Sequence, residues 1–187
     1  SCNQNAFIKI GNNTTIGYQS LYKNTSGFGN VGLGAWSLHD NTTGFYNTAI
    51  GRSALSNNIN GKYNTATGYN ALQTNSSGER NTAIGYYALQ KNSIGERNTA
   101  IGYYAGITIE NGDSNVIIGY GADVHSNGTA ATNSIVIGAG AKGKGHRTAV
   151  IGNATISKVY MAEDGAAEIH ANGTINTSDL RLKKDIN

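Results

Sequence analysis

The chain has 187 residues, of which 26 are Gly, none is Pro and one is Cys, and its formal charge is +3 at pH 7. That length suits one compact body or one repeat array. No apolar run approaches the roughly 18 residues of a membrane-spanning helix, and a charge so small and evenly spread excludes a nucleic-acid-binding surface.

Leu, Ile, Val and Phe together make up about 19% of the chain, while Asn alone occurs 25 times. Gly stands at about twice its usual frequency. A conventional core would be thin, so the chain must order itself by repetition or by pairing with copies of itself.

Residues 1–12 form a lead-in with no repeat signature. Cys2 is the only cysteine and can form no internal disulfide. It reads as a boundary residue, or as a lipid-bearing N-terminal cysteine, although Ser1 precedes it. No secretion signal is visible in this stretch.

Residues 13–152 are a repeat. A Gly follows a short apolar run at Gly17, Gly34, Gly51, Gly68, Gly85, Gly102 and Gly119, every step being 17 residues, and the register continues to Gly138 and Gly152. The best-kept units read NTAIGRSALSNNINGKY, NTAIGYYALQKNSIGER and NTAIGYYAGITIENGDS. A fixed 17-residue period with small late indels predicts stacked coils.

Within a unit, strand alternation puts the residues one and three before the Gly on one side and the residue two before it on the other. The first position is an aliphatic column that includes Ile50, Ile84, Ile101 and Ile118, broken once by Thr67. The position two before the Gly is Ala49, Ala66, Ala83 and Ala100, then Ile117, Val136 and Val150. Small residues there suit close approach of another layer, and their later enlargement implies that the space beside them widens.

Four after the Gly comes a second column, Leu21, Leu38, Leu55, Leu72 and Leu89. Each coil is therefore expected to offer two short strands, whose Ile and Leu columns face each other across a narrow roll. Asn24, Asn41, Asn58, Asn75 and Asn92 are each followed three residues later by Gly, a spacing in which Asn caps a bend and Gly is expected to supply positive φ. The Asn that opens each unit, as at Asn47, Asn64, Asn81 and Asn98, should stack into a ladder whose amides satisfy successive turns. Helix is excluded, because β-branched residues at period 2 in a Gly-rich 17-mer make no helical stripe.

The expected fold is thus an all-β parallel β-roll or solenoid of about nine coils, a rod roughly 40–45 Å tall at about 4.8 Å per coil. It has too few large apolar residues to stand alone. A parallel homotrimer about a three-fold axis is expected.

The unit N-T-A-I-G-Y-x-A-L resembles the head repeats of trimeric autotransporter adhesins, whose related units form a left-handed parallel β-roll in a trimer. The resemblance covers residues 13 to about 152, with three more residues per coil than that family's usual unit. It implies the same handedness here.

Residues 153–177 read as a neck, and the segment Tyr160 to Asp179 resembles the stretch that leads into an intramolecular chaperone domain. Thr177 to Ile186, T-S-D-L-R-L-K-K-D-I, resembles the opening of that domain, which follows endosialidase-type phage tailspikes, trimerises the fibre and cuts itself off. By that pattern Ser178 would be the nucleophile, Lys183 its general base and Ser178–Asp179 the cleaved bond; a Lys of depressed pKa can serve a hydroxyl nucleophile in this way. Residues 178–187 carry only the opening of such a domain, so the dyad is expected to be an inactive remnant.

Other features are weaker. Gly138, Gly140 and Gly143 match G-x-G-x-x-G, but a dinucleotide site requires a following helix in a βαβ unit. Lys142, Lys144 and Arg147, with His146, form a basic turn that, repeated around a fibre, could attract an anionic glycan or phosphate. Glu110, Asn111 and Asp113 lack a full calcium ligand set, and His39, His125, His146 and His170 show no metal spacing. Tyr18, Tyr69, Tyr86, Tyr103 and Tyr120 follow the repeat Gly, with Tyr87 and Tyr104 alongside, either as packing at the trimer seam or as a stripe on which a sugar stacks.

No constellation of base, nucleophile and orienter points to an enzyme, and no cofactor or metal is implied. The expectation is a structural segment of a phage tail fibre or related injection apparatus, on a virion tail or at the cell surface. It would present a surface to a host receptor or glycan, with no nucleic-acid partner and no membrane insertion. A bacterial surface adhesin with the same roll is the alternative. Ice binding is a third reading, since Thr14, Thr48, Thr65, Thr82 and Thr99 form a column; its weakness is that this column should share a face with the Ile core.

Overall fold

A computed structural model describes residues 11–124 and 130–157. The chain divides into two compact units, Ser1–Thr155 and Ile156–Asn187, and the first holds everything discussed below. Its strands are β1 (Thr14–Ile16), β2 (Val31–Leu33), β3 (Thr48–Ile50), β4 (Thr65–Thr67), β5 (Thr82–Ile84), β6 (Thr99–Ile101), β7 (Val116–Ile118), β8 (Ile135–Ile137) and β9 (Ala149–Ile151).

All nine lie in one sheet in chain order. Every pairing is parallel and displaced by one repeat unit, as in Thr48 beside Thr65 and Thr82 beside Thr99. No described residue is helical. The unit is an all-β parallel solenoid with eight steps between its first and last strands.

Each strand is short because a glycine corner ends it. Gly51 has a φ of 128°, and a Cβ there would lie 2.6 Å from the Gly68 carbonyl oxygen of the next coil. Any side chain at this corner would prise the coils apart.

The segment beyond the corner is not the expected second strand. It is a run of turns in which alternate residues are left-handed: Ser53 at φ 57° and Leu55 at 51°, Tyr87 at 58° and Leu89 at 49°. Left-handed backbone costs a non-Gly residue of the order of 1–3 kcal/mol. Two gains offset it. The Leu side chain is wholly buried, worth about 1.5–3 kcal/mol, and the run still donates hydrogen bonds between coils, Leu55 N–H to Ala71 O at 3.0 Å and Ser53 N–H to Ala35 O at 2.9 Å.

The interior is arranged differently from the Ile-against-Leu roll that the sequence suggested. Leu21, Leu38, Leu55, Leu72 and Leu89 point inward, but across from them stand Ala49, Ala66, Ala83 and Ala100, all fully buried. The Ile column faces outward. The coil is so narrow that a Leu from the return segment fills it and leaves room for only a methyl group on the strand side. Where the Leu column is interrupted by Gly106, the strand residue becomes Ile117, fully buried, whose Cδ1 lies 3.2 Å from the point where a Gly106 Cβ would sit. The widening inferred from Ile117 is therefore the space of a missing leucine.

The N-x-x-G glycines also serve a different purpose. Gly61 is not left-handed; instead, its Cβ would lie 2.6 Å from the Gly78 carbonyl oxygen and would overlap Asn58 Oδ1. Close approach of the asparagine column, not positive φ, excludes a side chain there.

Candidate functional site

Two asparagine ladders tie the coils together from within. In the first, the Asn64 N–H donates to Asn47 Oδ1 at 3.0 Å, and Asn64 Nδ2 donates to the same oxygen at 3.1 Å and to Gly78 O at 2.8 Å. Asn81 and Asn98 continue the pattern, the Asn98 N–H donating to Asn81 Oδ1 at 2.9 Å. In the second, Asn58, Asn75 and Asn92 each donate Nδ2 to the preceding asparagine oxygen at 2.7–2.9 Å.

The second ladder ends where Ile109 takes the next asparagine's place, leaving Asn92 Oδ1 buried with no hydrogen-bond partner. Asn75→Ala adds a second orphan, Asn58 Oδ1, whereas Asn92→Ala only transfers the existing one to Asn75. Asn75→Ala is therefore expected to cost roughly 1–3 kcal/mol more than Asn92→Ala, read as the difference between their urea midpoints.

The same interior holds one buried carboxylate. Asp123, 2% exposed, occupies the leucine-column position of its coil. Its Oδ1 accepts from Thr108 Oγ1 at 3.0 Å and from the Val124 N–H at 2.9 Å. Burial raises its pKa, opposed by those hydrogen bonds and by the Lys142 charge. The folded chain thus holds this proton more tightly than the unfolded chain, and stability falls as pH rises through the carboxylate range to the folded-state pKa. Asp123→Asn, which can accept both bonds through Oδ1, is expected to raise Tm at pH 7. Thermal melts at decreasing pH should show that gain shrinking.

The outer face of the sheet carries the chemistry available to a partner. On β5 the alternation leaves Arg80 exposed, Thr82 half-buried, Ile84 exposed and, past the corner, Tyr86 exposed, while Asn81 and Ala83 turn inward. The face is therefore four columns wide. Its aliphatic column is open: Ile50, Ile84 and Ile101 are 38–40% exposed, and Ile16 and Ile151 reach 57% and 58%. Beside it run Thr14, Thr48, Thr65, Thr82 and Thr99, so the threonine and isoleucine columns share a solvent-facing sheet and not a core.

Each flank of this face is a stacked column. On the side past the corner, Tyr69, Tyr86, Tyr103 and Tyr120 stack at 5.0–5.2 Å between centroids. The Arg52 guanidinium links Tyr69, at 5.8 Å, to Trp36, at 4.8 Å. Ring faces are thus spent on one another, and a sugar approaching Tyr86 or Tyr103 from the side meets edges and not faces. On the opposite flank Tyr46 stacks on Tyr63 at 5.7 Å, Arg80 lies 5.6 Å over Tyr63, and Arg97 pairs with Glu96 at 2.7 Å.

No family model, curated protein or solved structure matches the chain. The residues and their geometry therefore carry the functional argument.

Of the other expected sites, Lys142, Lys144 and Arg147 are all exposed. Lys142 Nζ donates to Gly121 O at 3.1 Å. Lys142 and Lys144 border an open depression of about 440 Å³ with Gly140, Val150, Ile151 and Asn153; Arg147 does not line it. Asp113 Oδ1 is committed to the Glu96 N–H at 2.7 Å, and among the described residues no three His, Cys, Asp or Glu side chains gather where a metal ion could be held. His39 is engaged with Asp40 at 2.6 Å, and Lys23 reaches the same carboxylate at 2.9 Å. Partial burial opposes these contacts, but together they hold the Asp40 carboxyl below its ordinary range.

Ser178, Lys183, the Ser178–Asp179 bond, the segment Tyr160 to Asp179, Cys2, His125 and His170 lie outside the described residues. Among the described residues no helix is long and apolar enough to cross a membrane.

The sequence reading overlooked the flank formed by Tyr46, Tyr63, Arg80 and Arg97. Its signal was present as the residue immediately before each unit-opening asparagine, at the same 17-residue period.

Proposed function

We propose that this chain is a structural segment of a homotrimeric fibre, of a phage tail or related injection apparatus, holding a receptor- or glycan-contacting surface away from its anchor. The observation that supports it is the open isoleucine column on a sheet that is regular over its whole height. Four columns at about 6.8 Å and nine strands at about 4.8 Å make a face of roughly 800 Å², the area each partner contributes to a standard stable interface.

Three such faces, each about 20 Å wide, close a triangular prism whose axis lies about 6 Å from every sheet. That is close to half the ~10 Å spacing of packed sheets, so Ile and Thr side chains fill the middle. Four faces would leave a hollow. The resemblance of Thr177 to Ile186 to a fibre chaperone favours a phage-type fibre over a bacterial adhesin head.

A second reading has one observation behind it. The regular threonine column faces solvent beside the isoleucines, the arrangement that ordering of surface water would need. Mass in solution separates the two, because a trimer hides this face. Light scattering at three times 19.5 kDa, with adsorption of the labelled protein to bacterial cells, supports the fibre. A 19.5 kDa species with thermal hysteresis supports water ordering instead.

A further inference from the structure

The two flanks of the outer face form a matched pair. Taken strand by strand, the residues at the opening and closing flanks are Gly29 and Ala35, Tyr46 and Arg52, Tyr63 and Tyr69, Arg80 and Tyr86, Arg97 and Tyr103, and Ser114 and Tyr120. Wherever one flank carries arginine, the other carries tyrosine at the same height. No strand has arginine on both. The one strand with a glycine has an alanine opposite.

Within a single chain this matching has no use, because the two flanks are separated by the Thr and Ile columns. It acquires one when copies of the chain meet. A rotation axis parallel to the stack leaves each strand at its own height, so the opening flank of one copy confronts the closing flank of the next at an equal level.

We propose that the partner at each flank is a second copy of this chain, the opening flank of one protomer docking against the closing flank of its neighbour to form a head-to-tail ring of three. Arg80 and Arg97 then meet the neighbour's tyrosine stack, and Arg52 meets Tyr46 from the other side, in cation–π contacts. Tyr63 meets Tyr69. Gly29 against Ala35 permits the close approach that bulkier pairs would prevent. This inference rests on the trimeric reading and adds to it which surfaces join.

Paired cysteines in the full chain, on a Cys2→Ser background, test it. Asn133 and Ala139 are exposed flank residues of β8. Six residues of extended chain put them about 20 Å apart within one protomer, against the 4.4–6.8 Å between Cα atoms that a disulfide needs. Asn133→Cys with Ala139→Cys, oxidised with diamide, is expected to give a covalent trimer on a non-reducing gel, while each single variant stays uncrosslinked. Ser114→Cys with Tyr120→Cys repeats the test one strand lower.

Dimers from either single variant would mean that like flanks meet, and would overturn the proposal. So would covalent dimers without trimers from the double variants. Trimer mass by light scattering with neither pair crosslinking would overturn the seam and leave the trimer standing. Monomer mass for the uncrosslinked background protein would remove both.

Discussion

Ile84→Glu is expected to convert the protein from a species of three times 19.5 kDa to one of 19.5 kDa without unfolding it. Ile84 is 40% exposed and contributes nothing to the solenoid interior, so the far-ultraviolet circular dichroism of the chain should persist. In the trimer the substitution acts three times at one height. It removes about 1.5–3 kcal/mol of apolar burial per chain and brings three carboxylates together, each costing several kcal/mol to desolvate without a partner.

Lys91→Glu, at an exposed position on the return segment away from the sheet, serves as the control and should leave the mass unchanged. Sedimentation equilibrium decides the matter. An Ile84→Glu protein that remains trimeric places the contact somewhere other than this face. Thr67, the polar break in the aliphatic column, should behave oppositely: Thr67→Ile adds three apolar side chains around the axis and is expected to slow dissociation.

The second large effect is expected inside the coil. Ile117→Ala empties the space left by the missing leucine at Gly106 and should cost about 2–5 kcal/mol, or roughly 5–15 °C in Tm for a unit of this size. Gly106→Leu alone crowds Ile117 and should also destabilise, by about 1–3 kcal/mol. Gly106 has a φ of 65°, close to the 49–55° that the column leucines adopt, so the backbone there accepts a Leu when the space is free.

Combining Gly106→Leu with Ile117→Ala therefore recreates the Leu-and-Ala pair of the lower coils and should recover most of the loss. The interaction energy from the double-mutant cycle should be favourable and of the order of 2 kcal/mol or more. Simple additivity of the two losses would mean that these side chains do not share one space.

That pair also shows why the fold was only partly legible in the sequence. The 17-residue period fixed which residues stack on which, and the strand register follows it throughout. Alternation placed Ala83 and Ile84 on opposite sides but could not say which side was inside. Choosing by hydrophobicity put the isoleucine in the core, and the narrowness of the coil reversed the choice. The deciding signal lay across the coil, where the strand residue enlarges to Ile117 in the coil after leucine gives way to Gly106.

The left-handed leucines were illegible for a different reason. Leu has no local preference for φ near +50°; tertiary burial of its side chain imposes that conformation, and alternating residues then read as a strand. As for the candidate site, the Ile and Asn columns were visible as repeats. The arginine and tyrosine flanks were not, because their residues vary from coil to coil and acquire meaning only when opposite ends of the same strand are compared.

The ladders of Asn64, Asn81 and their neighbours have a consequence for how such a protein changes over generations. A coil inserted between two others would offer its lower neighbour the amide that the displaced coil had offered, and would receive from above what that coil had received. Duplication or loss of a whole unit therefore alters reach by about 4.8 Å while presenting the polypeptide with no new folding problem. Copy number becomes a ruler that recombination can reset, independently of whatever chemistry the sides of the shaft display.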